Sequence, residues 1–184
     1  METEPVEEFV LASEHNFRIA AAVHEAWPKA RRRIVGHFLE QLRKRLGIDL
    51  KGWEFEGGGQ FFEDTYPGFS IWKPKWVNQY WVGLQCTEHR ERIVFGVMRN
   101  KESIGSRPFC DQLLQAVRNL HPSARTQAWW EARMTMHSPA SDWRTPDVLW
   151  RMRKDATFLE EVALQLLEVA RVSEPIVDQL VQKK

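Results

Sequence analysis

Residues 79–98 constrain the fold more than any other stretch. Two runs rich in β-branched and aromatic residues, 79–86 and 92–98, flank the short polar segment Glu88-His89-Arg90-Glu91. Strands joined by so few residues pair antiparallel as a hairpin. With those four residues as the turn, Gly83 faces Gly96, Trp81 faces Met98, Gln85 faces Val94 and Leu84 faces Phe95. Val82, Leu84, Ile93, Phe95 and Val97 then form one apolar face, and a slip of one residue would turn that face to solvent. On the opposite face two glycines meet without side chains. Interior strand glycines mark the close approach of something else. Either the protein's own ring or a crossing helix fills the gap, or it is a shallow groove for a ligand or peptide. Such a groove has Gly83 and Gly96 as its floor and Trp81 and Met98 as walls, with Trp72 and Trp76 beside it.

Around the hairpin the chain alternates between helical and strand patterns. Residues 14–27 read as a helix with Ser13 as its N-cap. Pro28 either starts a second helix or kinks a longer one. Over 28–46, Ala30, Ile34, Val35, Phe38, Leu42 and Leu46 recur at helical steps, and Gly47 is a ready stop. Residues 53–56 alternate as a strand before Gly57-Gly58-Gly59. Phe61-Phe62 and 68–73 are further strand candidates. Residues 108–120 read as a helix, and 128–137 as a strand with Trp130, Ala132, Met134 and Met136 on one side. A short helix is expected at 146–153. A longer one runs over 156–171, with Thr157 and Glu160 as a capping box, and Pro175 opens a last short one. These elements predict one α+β domain over 1–184 with an acidic N-terminal tail at about 1–12. Its antiparallel sheet has about five strands with helices packed on one face, flanked by N-terminal and C-terminal helices.

Length and composition suit a single core: 184 residues, 43% hydrophobic and 28% charged. The net charge of +1 gives no general attraction to nucleic acid or anionic membrane. Its distribution is uneven. Acidic residues dominate both ends, whereas 29–45 carries Lys29, Arg31, Arg32, Arg33, Arg43, Lys44 and Arg45 against Glu40 alone. The acidic start is unlike a secretion signal, and no apolar run reaches the length of a membrane span. The two cysteines, Cys86 and Cys110, make no disulfide framework. A cytoplasmic protein without membrane association is the expectation. Nine tryptophans are the compositional anomaly. They supply large rings to a core or line a binding surface.

Few residues are spaced for catalysis. Glu54 and Glu56 share a strand face, and with Glu63, Asp64 and Lys51 or Lys73 they resemble the carboxylate set of a Mg²⁺ site. The competing reading is the wet side of a half-buried strand. Asp49-Leu50-Lys51 matches an acid-x-lysine element but lacks an upstream acid on a strand end, and Pro146-Asp147 lacks the element that should follow it. His15 and His24 lie on opposite helix faces, while His24, His37 and Glu40 meet only if Pro28 bends the chain. No G-x-S-x-G, P-loop or G-x-G-x-x-G is present. The expectation is no catalytic residue, no metal site and no cofactor. The basic helix offers more. Arg32 stacks above Arg43 and Arg33 above Lys44, giving two positive ridges about 16 Å long. With Lys73, Lys75 and Arg99, and with Trp72 and Trp76 for stacking, they can follow a phosphate backbone, or pair with the acidic termini.

The basic helices followed by Tyr80-Trp81-Val82-Gly83-Leu84, a turn and Phe95-Gly96-Val97 resemble the region C-terminal to the nuclease core in some bacterial PD-(D/E)XK superfamily proteins. Many of these are tied to restriction or phage defence. The resemblance covers 15–155 and implies an accessory or interaction module, because that family's catalytic residues lie upstream of this region. The functional expectation is a non-catalytic binding or regulatory module acting through a protein partner or a homo-oligomer. Nucleic-acid binding through helix 28–46 is the alternative.

Overall fold

In a computed structural model, described for residues 5–57, 68–87, 92–100, 108–137 and 140–182, the hairpin has the register its sequence dictates. β3 (Tyr80–Cys86) pairs with β4 (Ile93–Arg99), with Gly83 opposite Gly96, Trp81 opposite Met98, Gln85 opposite Val94 and Leu84 opposite Phe95. The turn at 88–91, Gly58-Gly59, Phe61-Phe62, Glu63 and Asp64 lie outside the described residues. β1 (Glu54–Gly57) and β2 (Gly68–Trp72) extend the sheet on one side. On the other side come β6 (Trp130–Thr135) and β5 (Arg125–Gln127). The order is β1-β2-β3-β4-β6-β5, antiparallel throughout. The sheet therefore has six strands, not five. The additional one is β5, only three residues long, which is too short to show a period.

The glycine pair answers to backbone, not to a ring or a crossing helix. A Cβ on Gly96, which sits at φ +145°, would collide with the carbonyl oxygen of Ala132 on β6, and one on Gly83 with the carbonyl oxygen of Phe69 on β2. Neighbouring strands thus press in from both sides, and only glycine admits them. A β-bulge follows. Val97 faces Ala132 and Met98 faces Trp130, which leaves Glu131 as an extra residue. The bulge breaks the expected alternation. Ala132, Met134 and Met136 join the main core, while Trp130 turns to the other face and packs with Val94 and Met98.

One apolar core draws residues from Val35 to Val177. Its spine is α5 (Ala156–Gln182), whose stripe of Phe158, Val162, Leu166, Val169, Ala170 and Val177 is buried under the sheet. Each of the Phe, Val and Leu side chains contributes about 1.5–3 kcal/mol on burial. α5 runs through Pro175 instead of restarting there. Its first turn is capped by Asp155, which accepts from the Thr157 amide at 2.9 Å, so the Thr157–Glu160 box does not form. α3 (Asp111–Leu120) and α4 (Pro146–Lys154) complete the helical layer. α3 starts later than the pattern suggested.

Of the two readings of Pro28, the single longer helix holds. α2 spans Glu14–Asp49, 36 residues, with Pro28 inside it, and continues past Gly47. Within the expected acidic tail, Pro5–Leu11 form the helix α1. All buried residues of α2 lie in its second half: Val35, Phe38, Leu39, Leu42 and Leu46. Phe38 meets Trp143 edge-on at 5.4 Å and Phe158 at 5.5 Å.

Gly96→Ala is expected to destabilise by about 3 kcal/mol or more, combining strain at positive φ with a steric clash. Gly36→Ala is expected to stabilise by about 0.5–1 kcal/mol, since an added Cβ there meets nothing within 4 Å on a helix. Urea midpoints of the two variants measure the contrast, and similar shifts in one direction would contradict the glycine account.

Candidate functional site

On the outer face of the sheet, the space expected above Gly83 is taken by the protein's own Met98. Trp81 and Met98 stand where the register put them, but Met98 folds its methyl to within 3.1 Å of the Cβ position of Gly83. Val94, Met98 and Trp130 form a second small cluster with Trp81 and Trp129. A depression of about 230 Å³ lies beside it among Glu56, Ser70, Gln85 and Met98, and of the expected groove residues it includes Met98 alone. Trp72 on β2, opposite Glu54 of β1, is half-buried, packs against the main core instead of the outer cluster, and keeps its indole N–H buried without an acceptor among the described residues. Trp76 is not part of this face. It is fully buried on the helix side, at 4.9 Å from Trp53, and donates its indole N–H to Asp178 at 2.7 Å.

The nucleic-acid set is only partly brought together. Lys73 is bound by Glu174 and Asp178, and Lys75 contacts Asp178 at 2.7 Å. Arg99 is buried against Glu131 at 3.4 Å, with its guanidinium over the Phe109 ring at 4.1 Å. Glu131 also accepts the Cys110 amide at 2.8 Å, which ties β6 to the start of α3. Arg99 and Lys73 are thus committed to pairs within the fold, while Lys75 is bonded to Asp178 but remains 45% exposed. Arg43 reaches the carbonyl of Phe55 at 2.7 Å, while Arg33 and Lys44 are exposed on α2 and Arg32 is half-buried. Glu54 and Glu56 point to solvent, and no group of three His, Cys, Asp or Glu able to hold a metal occurs among the described residues. Cys86 and Cys110 are free thiols.

Around Asp178, burial pushes its carboxyl up. Hydrogen bonds from Lys75, Trp76 and Lys73 outweigh burial and hold it below the ordinary aspartate range. Burial lowers the Lys73 ammonium, but hydrogen bonds to Glu174 and Asp178 leave it raised.

A feature that sequence reasoning missed lies at the other end of the chain. Among the described residues, seven of the twelve exposed large apolar side chains fall within the first 27: Val6, Phe9, Leu11, Phe17, Ile19, Val23 and Trp27. Phe17 and Val23 are each 58% exposed, and Trp27 is 38% exposed. The first half of α2 is thus an arm about 30 Å long that leaves the core with its apolar side uncovered. At 100° per residue, Ile19, Val23, Ala26, Trp27, Ala30 and Ile34 share one side of the helix. That stripe runs into a cleft of about 790 Å³ at the foot of the arm. Ala26, Lys29, Ala30, Arg33, Ile34 and His37 line it, with Arg153 of α4 closing it. The signal was present in the sequence as the alternating four- and three-residue spacing of Ile19, Val23, Ala26 and Ala30.

No helix among the described residues is long and apolar enough to cross a membrane. Comparison with protein families, with curated proteins and with solved structures returns no match.

The lowered Asp178 carboxyl contributes stability that is present above the ordinary aspartate range and is lost as pH falls through its folded value. Asp178→Asn keeps an acceptor for Trp76 but removes the titration. Acid unfolding followed by tryptophan fluorescence is expected to be shallower in the variant, on a baseline at neutral pH lower by about 1–3 kcal/mol. Superimposable acid limbs would contradict the assignment.

Proposed function

We propose that this chain is a cytoplasmic, non-catalytic binding or regulatory module that works through protein contacts made by its N-terminal arm. The observation that carries the reading is the concentration of exposed apolar side chains on α1 and the first half of α2. Exposed apolar patches rimmed by charge mark protein contact sites on folded proteins. Trp27, large and partly exposed on the stripe, is of the residue type enriched at the sites that dominate binding energy. The cleft at the arm's foot adds a concave surface with a positive rim. A restriction or phage-defence setting rests on the sequence resemblance alone.

Nucleic-acid binding is the second reading, favoured by exposed Lys29, Arg33 and Lys44 on one helix. The commitment of Lys73, Lys75 and Arg99 to internal pairs weakens it.

The arm should be separable from folding. Val23→Glu with Trp27→Glu is expected to abolish protein capture while moving unfolding stability by no more than about 0.5 kcal/mol, because neither residue belongs to the core. Fluorescence anisotropy with duplex and single-stranded DNA is expected to show no steep salt dependence. Salt-dependent affinity lost in Arg32→Ala with Arg43→Ala would replace the protein-contact reading with the nucleic-acid one.

A further inference from the structure

The two ends of the arm are opposite in charge and alike in apolar character. At its foot, the cleft has an apolar floor of Ala26, Ala30 and Ile34 and a positive rim of Lys29, Arg33 and Arg153. At its tip, α1 carries Glu7 and Glu8 among exposed Val6, Phe9 and Leu11, while Glu14 in the first turn of α2 is already paired with Arg18 at 2.5 Å, so Glu7 and Glu8 give the tip its negative charge. These surfaces suit one another but cannot meet within one chain. Glu14 and Lys29 stand roughly 22 Å apart along a continuous helix. α1 is held at the tip, where the Asn16 side chain donates to the Phe9 carbonyl at 2.8 Å.

We infer that the chain pairs with a second copy of itself through antiparallel arms, α1 of each copy seated against the basic cleft of the other. The inference rests on the binding-module reading and names its partner. Both halves of the complementary surface are present on every chain, which is the condition for a two-fold interface. An antiparallel pair centred on Val23 sets Ser13 of one copy level with Arg33 of the other, which flanks the stripe, so that α1 at each tip comes beside the rim of the other's cleft, and the contact repeats on the far side of the axis. The apolar stripes then face each other at coiled-coil spacing. Without Phe17, which lies on the other side of the helix, the exposed apolar side chains of the first 27 residues amount to roughly 600 Å² per chain, hence roughly 1,200 Å² for a pair that buries them, the size at which stable interfaces begin. A protein of different sequence would need to supply the same acidic, apolar helix that the chain already carries.

Sedimentation equilibrium on the full chain tests this with two charge reversals. The unaltered protein is expected to show a two-chain mass. Glu7→Lys with Glu8→Lys, and separately Lys29→Glu with Arg33→Glu, are each expected to weaken association by more than about tenfold through like-charge contacts. An equimolar mixture of the two variants should recover the two-chain mass, since each then offers the other a matched end. All four residues are exposed, and circular dichroism checks that each variant folds. Val23→Cys should oxidise to a linked dimer across the axis, against a background set by Cys86 and Cys110 in the unaltered chain. A dimer indifferent to both reversals, or reversals that do not complement each other, overturns the inference. So does a monomer at every concentration. A monomer that still captures other proteins through its arm leaves the binding-module reading standing. A monomer that captures nothing sinks both.

Discussion

A continuous hydrogen-bonded helix carries its direction along its whole length, and α2 is the element in which this matters most. Phe38, Leu42 and Leu46 anchor its second half in the core, where Phe38 is locked edge-on to Trp143 and packed on Phe158. That anchoring also solves the arm's folding problem. A short helix in water is marginal because its first turn costs more than it returns. Here the buried half supplies the nucleus, and the arm only propagates. Pro28 removes one rung of hydrogen bonding without ending the helix. Arg45, bonded to Glu160 at 2.7 Å, and Arg171, bonded to Asp49 at 2.9 Å, fasten the base of α2 to α5. The arm's direction, its bare stripe and the cleft beside α4 all follow from that anchorage.

The sheet spends its unusual residues on itself. Gly83 and Gly96 let the backbones of β2 and β6 close in, and the bulge at Glu131 brings a carboxylate to Arg99. A buried pair of this kind costs more to break than to keep, since removing one partner strands the other charge. Rings and cations that look like ligand contacts in the sequence thus become packing in three dimensions. Trp76, Lys73 and Lys75 all converge on Asp178, and Met98 covers the glycine floor.

How much of this was legible depended on the range of the interaction. The β3–β4 register could be read because pairing, alternation and the turn are local, and every predicted partner in it matches. The α+β class followed from the same patterns. β5 escaped because three residues carry no period, and Trp130 was assigned to the wrong face because a bulge resets alternation without a local mark. The prolines were overread. Pro28 and Pro175 each suggest a break, but packing against a core outweighs one lost hydrogen bond. For the candidate site the limit was burial. Lys73 and Arg99 look like any surface cation until Asp178 and Glu131, far along the chain, come to meet them. The arm shows the converse: its helical spacing is local and legible, but whether anything packs on its apolar side depends on elements far along the chain.

Hydrogen–deuterium exchange along α2, measured over a concentration series, tests most directly the claim that this helix is half core and half uncovered arm. Residues 35–49 should be protected at every concentration. Residues 14–34 should exchange quickly in dilute solution and gain protection as concentration rises and the arms pair. Equal protection of both halves in dilute solution would mean that the chain covers its own arm. An arm that exchanges quickly at every concentration would mean that no second copy covers it.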